Sequence, residues 1–306
     1  MLQLGSKISA IPNMSSRIAN AILLCVTDLC ELRASIKEGS LTSPTEIISL
    51  MLELYERVNA WAAERSSYWD HTTTFVTPND PKFSDDEIYD GSFSVYNAPW
   101  IAGTWNISRS TRIFIHEAIL AQVDILLAQS PSPAIAIDLM CQRAKSLAAI
   151  QDTASDVCAS IPYILNHHRS RAEQAANPPR AAAGYFVLTS LYLAGSTIGV
   201  PHSMRLYAMG RLRFIGHRLG LGQALMLAQI LAAKINETTG IGFEVGSQEI
   251  KGVPRQIAFK GPLEVDVRFG SVSDDSGTWE VERGSPDENE DFNFENTGGF
   301  GVLRGS

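Results

Sequence analysis

Three residue groupings in this chain have the types and spacing to do chemistry. The first is Asp85-Asp86-Glu87-Ile88-Tyr89-Asp90. Adjacent carboxylates with a third four residues on supply, on a helix, the hard oxygen ligands that magnesium takes, so Asp85, Asp86 and Asp90 would be its ligands in a helical-bundle enzyme or carrier. The acids lie, however, inside TPNDPKFSDDEIYDG, whose prolines, serine and aspartates favour turns over a helix. No second acidic cluster recurs on a later helix. A solvated loop is therefore expected, with metal binding as the alternative.

The second is Gly216-His-Arg-Leu-Gly220-Leu-Gly222, a glycine-rich turn of the kind that cradles phosphate. Its order is GxxxGxG, and helical periodicity precedes it, so a helix stop at Gly220 is the better reading. Gly195-Ser-Thr-Ile-Gly199 lacks the nucleophile-elbow order, His116-Glu117 lacks the second histidine of a zinc protease, and His167-His168 has no cysteines or acids close by. These patterns predict no catalytic residues, no cofactor and no metal.

The third is Trp105, Arg109 and Arg112, spaced i, i+4 and i+7 on one helix face inside an apolar stretch. Two guanidinium groups and an indole in such surroundings need partners, because an unpaired buried charge is costly. Acids on neighbouring helices would supply them, with Glu117 on the same helix. The functional alternative is a clamp on an anionic small-molecule effector.

The elements that must hold these groups read as helix after helix. Ile18, Ile22, Cys25, Leu29, Leu32 and Ile36 form one amphipathic stripe. Ser43-Pro44-Thr45-Glu46 opens a second helix with a cap, a first-turn proline and a capping-box glutamate, and Ile48, Leu52, Tyr55 and Val58 continue one face toward Trp61. Periodicity fails across an irregular loop at about 71–95 and returns from Trp100 to about Gln129. After Ser130-Pro-Ser-Pro133, a further helix is predicted from about Ala134 to Leu165. HHRSRAEQAANPPR is a polar connector, and apolar segments follow at about 181–198, 202–219 and 222–237.

The 306 residues are 45% hydrophobic with a formal charge of −8, a balance that argues against nucleic-acid binding. Nine acids against two arginines fall in residues 271–306, so the end of the chain carries nearly all the net charge. The four cysteines, Cys25, Cys30, Cys141 and Cys158, have neither zinc-ligand nor redox spacing and read as mostly buried free thiols. The N-terminus lacks the pattern of a signal peptide. Ala181 to Val200 is a charge-free run long enough to cross a bilayer. Its hydroxyls, its glycines and an arginine on either side point instead to the buried centre of a helical domain.

PWIAGTWNISRSTRIFIHEAIL resembles a segment of the fungal-specific regulatory domain of binuclear zinc cluster transcription factors, where a tryptophan, an asparagine and two spaced arginines begin a long helix. Asp156-Val-Cys-Ala-Ser-Ile-Pro-Tyr163, AAAGYFVLTSLYLAGS and MGRLRFIGHRLGLGQALMLAQIL resemble later blocks of that domain in the same order, from about residue 45 to 237.

The resemblance implies an all-α regulatory domain, a multi-helix bundle or a stack of helical hairpins, over residues 1–240. An irregular to disordered acidic tail is expected over 241–306, with a short strand at Leu263–Phe269. The family's six-cysteine zinc cluster and coiled-coil linker have no counterpart in these residues, so no direct DNA contact is expected of this chain. The expectation is a non-enzymatic transcriptional regulator in the nucleus that binds protein partners, with a small-molecule effector and without a membrane. Trp279, Phe292 and Phe294 among the tail's acids match the acidic-aromatic mix of activation segments, or simply a solubilising end.

Overall fold

The computed structural model describes residues 14–64, 67–77, 80–84, 86–179 and 181–239. Asp85, the acidic tail and the strand expected at Leu263–Phe269 lie outside these residues. Among them are eight α-helices: α1 Met14–Glu38, α2 Pro44–Ala63, α3 Pro99–Ala128, α4 Pro133–Ile164, α5 Arg171–Ala176, α6 Ala181–Ser196, α7 His202–Leu219 and α8 Gly222–Thr239. The fold is all-α, as the periodicity predicts.

Punctuation sets most helix ends. Pro44, Pro99 and Pro133 each stand in the first turn, where a missing N–H costs nothing. Ser43 caps α2 by accepting from the Glu46 N–H, one half of the expected capping box. Gly220 ends α7 with φ 72°, the left-handed conformation expected of a stop there.

Three local expectations need correction. The segment 71–95 is not irregular throughout: β1 His71–Phe75 pairs antiparallel with β2 Ser92–Tyr96, from His71↔Tyr96 to Phe75↔Ser92. Three consecutive threonines in one strand and Phe93, Val95 and Tyr96 in the other supply the β-favouring side chains. The Val76 N–H donates to the Gly91 carbonyl at 2.8 Å and closes the neck of the remaining loop. The polar connector holds the short α5, nucleated by a full capping box between Ser170 and Glu173. The inward face of α2 is centred on Ile47, Met51, Leu54, Val58 and Trp61, one residue away from the predicted stripe, so Ile48, Leu52 and Tyr55 flank it.

α3 and α4 form a long antiparallel hairpin. Asn106 pairs with Ser160, His116 with Ser146 and Asp124 with Arg143, so positions run in opposite directions along the two helices. α2 and α1 pack on one flank of α3, and α6 lies across α3 and α4. Four tryptophans fill the junction of α2, α3 and the segment that leads into β1: Trp61 contacts Trp69 and Trp105 edge-on, and Trp69 contacts Trp100 edge-on. Their burial adds large apolar area, and the indole N–H groups of Trp61 and Trp105 donate to the carbonyls of Ile18 and Trp69.

α6 is the apolar run that raised the membrane question. No helix among the described residues is long and apolar enough to cross a membrane. Val187, Leu188, Leu191 and Ala194 are buried, whereas Tyr185 and Phe186 are 57% and 45% exposed, so the helix lies against the core on one side rather than at its centre. Gly195 permits its closest approach to α7 and α8. A Cβ at this position would stand 2.6 Å from the Ala208 Cβ and 2.8 Å from a Leu231 methyl.

Candidate functional site

The polar groups singled out by the sequence sit in a seam of buried hydrophilic side chains along α3. Asn106, Ser108, Arg109, Ser110, Thr111, His116 and Gln122 are all buried, an unusual density for one helix. Burial of such groups is tolerable only with hydrogen bonds, and most are made across helices. The Ser110 hydroxyl donates to Ser190 Oγ on α6 at 3.1 Å, and Ser190 Oγ donates on to the Asn106 carbonyl at 3.5 Å. Asn106 Nδ2 donates to Ser160 Oγ on α4 at 2.9 Å, and the Ser160 hydroxyl reaches the Val157 carbonyl at 2.7 Å.

Arg109 is the only cation of that group, and its side chain is 3% exposed. Its Nη1 donates to Tyr96 Oη at 2.8 Å and to Asn106 Oδ1 at 3.0 Å. The guanidinium carbon lies 5.6 Å from the Trp105 ring centre and 5.9 Å from that of Tyr96, within cation–π range. The carboxylate of Asp156 on α4 stands 3.9 Å from Nε, close enough for Coulomb attraction but too far for a hydrogen bond, and Nε has no hydrogen-bond partner among the described residues. The expected acid on a neighbouring helix is thus present, but neutral oxygens and aromatic faces do most of the solvation.

Arg112 turns elsewhere. Its Nη2 donates to Asn59 Oδ1 at 3.0 Å and to Tyr55 Oη at 3.3 Å, both on α2. Trp105 and Arg109 therefore come together beneath the β1–β2 ribbon, while Arg112, less than a turn beyond Arg109, serves the α2 side. Glu117 pairs with neither arginine: its carboxylate accepts from Thr197 Oγ1 at 2.6 Å, and burial raises its pKa above the usual carboxylate range.

His116 lies farther along the seam, before Gln122. Nδ1 lies 3.2 Å from Ser146 Oγ, which also accepts from Gln142 Nε2, and the ring meets Tyr55 edge-on at 4.6 Å. Burial, with help from the Arg112 charge, lowers its pKa to about 4, so the ring is neutral at pH 7.

A second polar cluster joins the acidic loop to α7. Asp86 pairs with the buried guanidinium of Arg211, which also faces the rings of Tyr207 and Phe214. Tyr207 Oη donates to the carbonyls of Glu87 and Cys158, and its burial raises the phenol pKa well above its ordinary value. An open cleft of about 440 Å³ lies between this loop and α7, lined by Asp86, Tyr89, Asp90, Ser203, Leu206 and Tyr207 among others. The loop is a series of turns rather than a helix, with Asp90 at φ 51°. Asp86 directs its carboxylate at Arg211, and no three His, Cys, Asp or Glu side chains among the described residues converge on a point that could hold a metal.

The seam begins at the segment that resembles a regulatory domain, and comparison with known proteins points the same way. A stretch of 149 residues is 29% identical to transcription factor dbaG of Emericella nidulans, covering 46% of this chain and 33% of that protein. The chain carries a region related to a fungal transcription factor. It spans only about a third of that relative's length. No protein-family model matches the chain, and no solved structure does.

Sequence spacing missed the partners of these groups. Asp86 and Arg211 are 125 residues apart, Glu117 and Thr197 are 80 apart, and Asn106 and Ser160 are 54 apart. One signal was available: Ser190 stands on an otherwise apolar helix face with Val187, Leu191 and Ala194, where a hydroxyl must find a partner across the interface.

Proposed function

We propose that this chain is a transcriptional regulatory module built like the effector domain of fungal zinc cluster transcription factors. It acts in the nucleus through a protein partner and does not touch DNA itself. The observation that carries this reading is the likeness to dbaG over nearly half the chain. The all-α architecture and the placement of Trp105, Asn106, Arg109 and Arg112 near the start of its 30-residue α3 support it. Under this reading the Trp105–Arg109–Arg112 group is architectural. Its donors are directed at Trp69, Tyr96, Asn106, Tyr55 and Asn59, and it holds α3 against the β1–β2 ribbon and α2.

The test is a reporter assay with residues 1–306 fused to a heterologous DNA-binding domain. A several-fold rise or fall in reporter output is expected. A fusion that reaches the nucleus, occupies its sites and leaves the output unchanged sinks the proposal. Residues 271–306 fused alone ask the narrower question of whether the acidic-aromatic segment activates. No response from that fusion removes the activation role of the tail and leaves the module as a whole to be judged by the longer fusion.

A further inference from the structure

α4 is 32 residues long, about 48 Å at 1.5 Å per residue, and its two halves have opposite surroundings. Its first buried side chain is Ser146, and the C-terminal half is core. The N-terminal half leaves Ile135, Ile137 and Met140 at 54%, 61% and 62% exposure, so this part of the helix is apolar and uncovered. A helix apolar on its outward side calls for a covering surface.

The exposed face has an order that selects the cover. Ala134, Cys141 and Ala148 recur every seven residues, with Ile137 and Ala144 between them, all exposed and all on one side of the helix. This is the spacing of a helix–helix seam, and its small side chains allow a second helix to come close. Asp152 continues the flanking row one heptad further on, and over the span from Ala134 to Ala148 the charges beside the seam are one acid and one base, Asp138 and Lys145, seven residues apart and symmetric about the Cys141–Gln142 position. Both are exposed, and neither makes an ion pair within the described residues. An acidic or a basic partner would attract one of them and repel the other. A second copy of the same helix running antiparallel about a two-fold axis near Cys141 sets each Asp138 against the other copy's Lys145, twice over, as a self-complementary isologous contact requires.

We propose that the N-terminal half of α4 is a self-association surface on which two copies of this chain pair antiparallel around Cys141. The pairing goes beyond the regulatory reading above and does not depend on it.

The experiment uses the full chain carrying Cys30→Ser, which removes the other exposed thiol. Sedimentation velocity at micromolar concentration gives a dimer, and a short bismaleimide links the two copies through Cys141; adding Cys141→Ser abolishes the link. Ile137→Glu puts two unpaired carboxylates into the seam and weakens the dimer by on the order of a hundredfold, with the helical circular dichroism unchanged because the side chain is exposed. Asp138→Lys and Lys145→Asp each weaken it several-fold, and the double exchange restores it. A monomeric chain with a freely reactive Cys141 overturns the proposal. So does a monomer in which Cys141 is shielded, since the cover is then another segment of the same chain. A dimer indifferent to Ile137→Glu, or charge exchanges that fail to compensate, equally overturns it by placing the contact elsewhere.

Discussion

α3 and α6 reverse what their compositions suggest. α3 carries an arginine, a histidine, an asparagine, a glutamine and several hydroxyls at buried positions, yet it is the central element of the fold. α6 carries no charge over its 16 residues, yet it presents Tyr185 and Phe186 to solvent. Position in the stack decides burial, and composition records only how each helix copes with its position. α3 has neighbours on nearly every side, so its polar groups can be paired and then fix the register of α4, α6 and β2. α6 packs its inner side against α3, α4, α7 and α8, with Gly195 at its approach to the last two, and leaves Tyr185 and Phe186 on its outer side.

The sharpest way to break this contrast is at Arg109. Arg109→Ala leaves a cavity beside Trp105 and strips partners from buried Tyr96 and Asn106, with an expected loss of about 3 to 5 kcal/mol in urea denaturation. Arg109→Met keeps most of the volume and the aromatic contact and loses clearly less. Equal losses for the two would mean that the hydrogen bonds carry all of the effect and packing none.

A pH titration of stability follows in size. The folded-state pKa of His116, about 4, lies below its ordinary 6.5, so the unfolded chain takes up this proton first as the solution is acidified. The stability tied to neutral His116 is fully present above pH 6.5 and is lost as pH falls toward 4, by about 3 kcal/mol. His116→Gln removes that component, and the variant's stability curve is flatter than the parent's between these two values. Parallel curves would show that the ring is solvated when charged and that the seam is open at this point.

The smallest effect belongs to α6. Tyr185→Ser changes stability by no more than about 0.5 kcal/mol, because the side chain is more than half exposed and makes no hydrogen bond among the described residues. A loss as large as that of a core residue would mean that the open side of α6 is covered in solution, and the contrast with α3 would narrow.

Helix existence and helix ends were legible because they are local. The spacing of apolar residues, the prolines at the first turns and the glycine at 220 act within a few positions, and the observed elements follow them closely. The two strands were not legible, since HTTTF and SFSVY are five residues each and an acidic, proline-rich stretch separates them. Their pairing depends on a packing surface supplied by α3 and α4, which no window of sequence contains. The α2 face was displaced by one residue because Tyr55 looks like core but turns its hydroxyl to Arg112 at the border. At the candidate site, the residue types and the helix that bears them were readable. That Arg109 and Arg112 would part company was not, because it depends on Tyr96, Tyr55 and Asn59, which come from other elements.

The close approach at Gly195 has an evolutionary corollary. The methyl group that any larger residue adds at 195 meets the Cβ of Ala208, an atom that no change of rotamer can move, and a branch of Leu231. Ala208 can shrink only to glycine, at a cost in helix propensity of about 1 kcal/mol. A lineage can therefore enlarge residue 195 only along an ordered path, with room made first at 208 and 231 on two other helices. These three positions, 13 and 23 residues apart in sequence, form one unit of inheritance in which the order of substitutions matters as much as their identity.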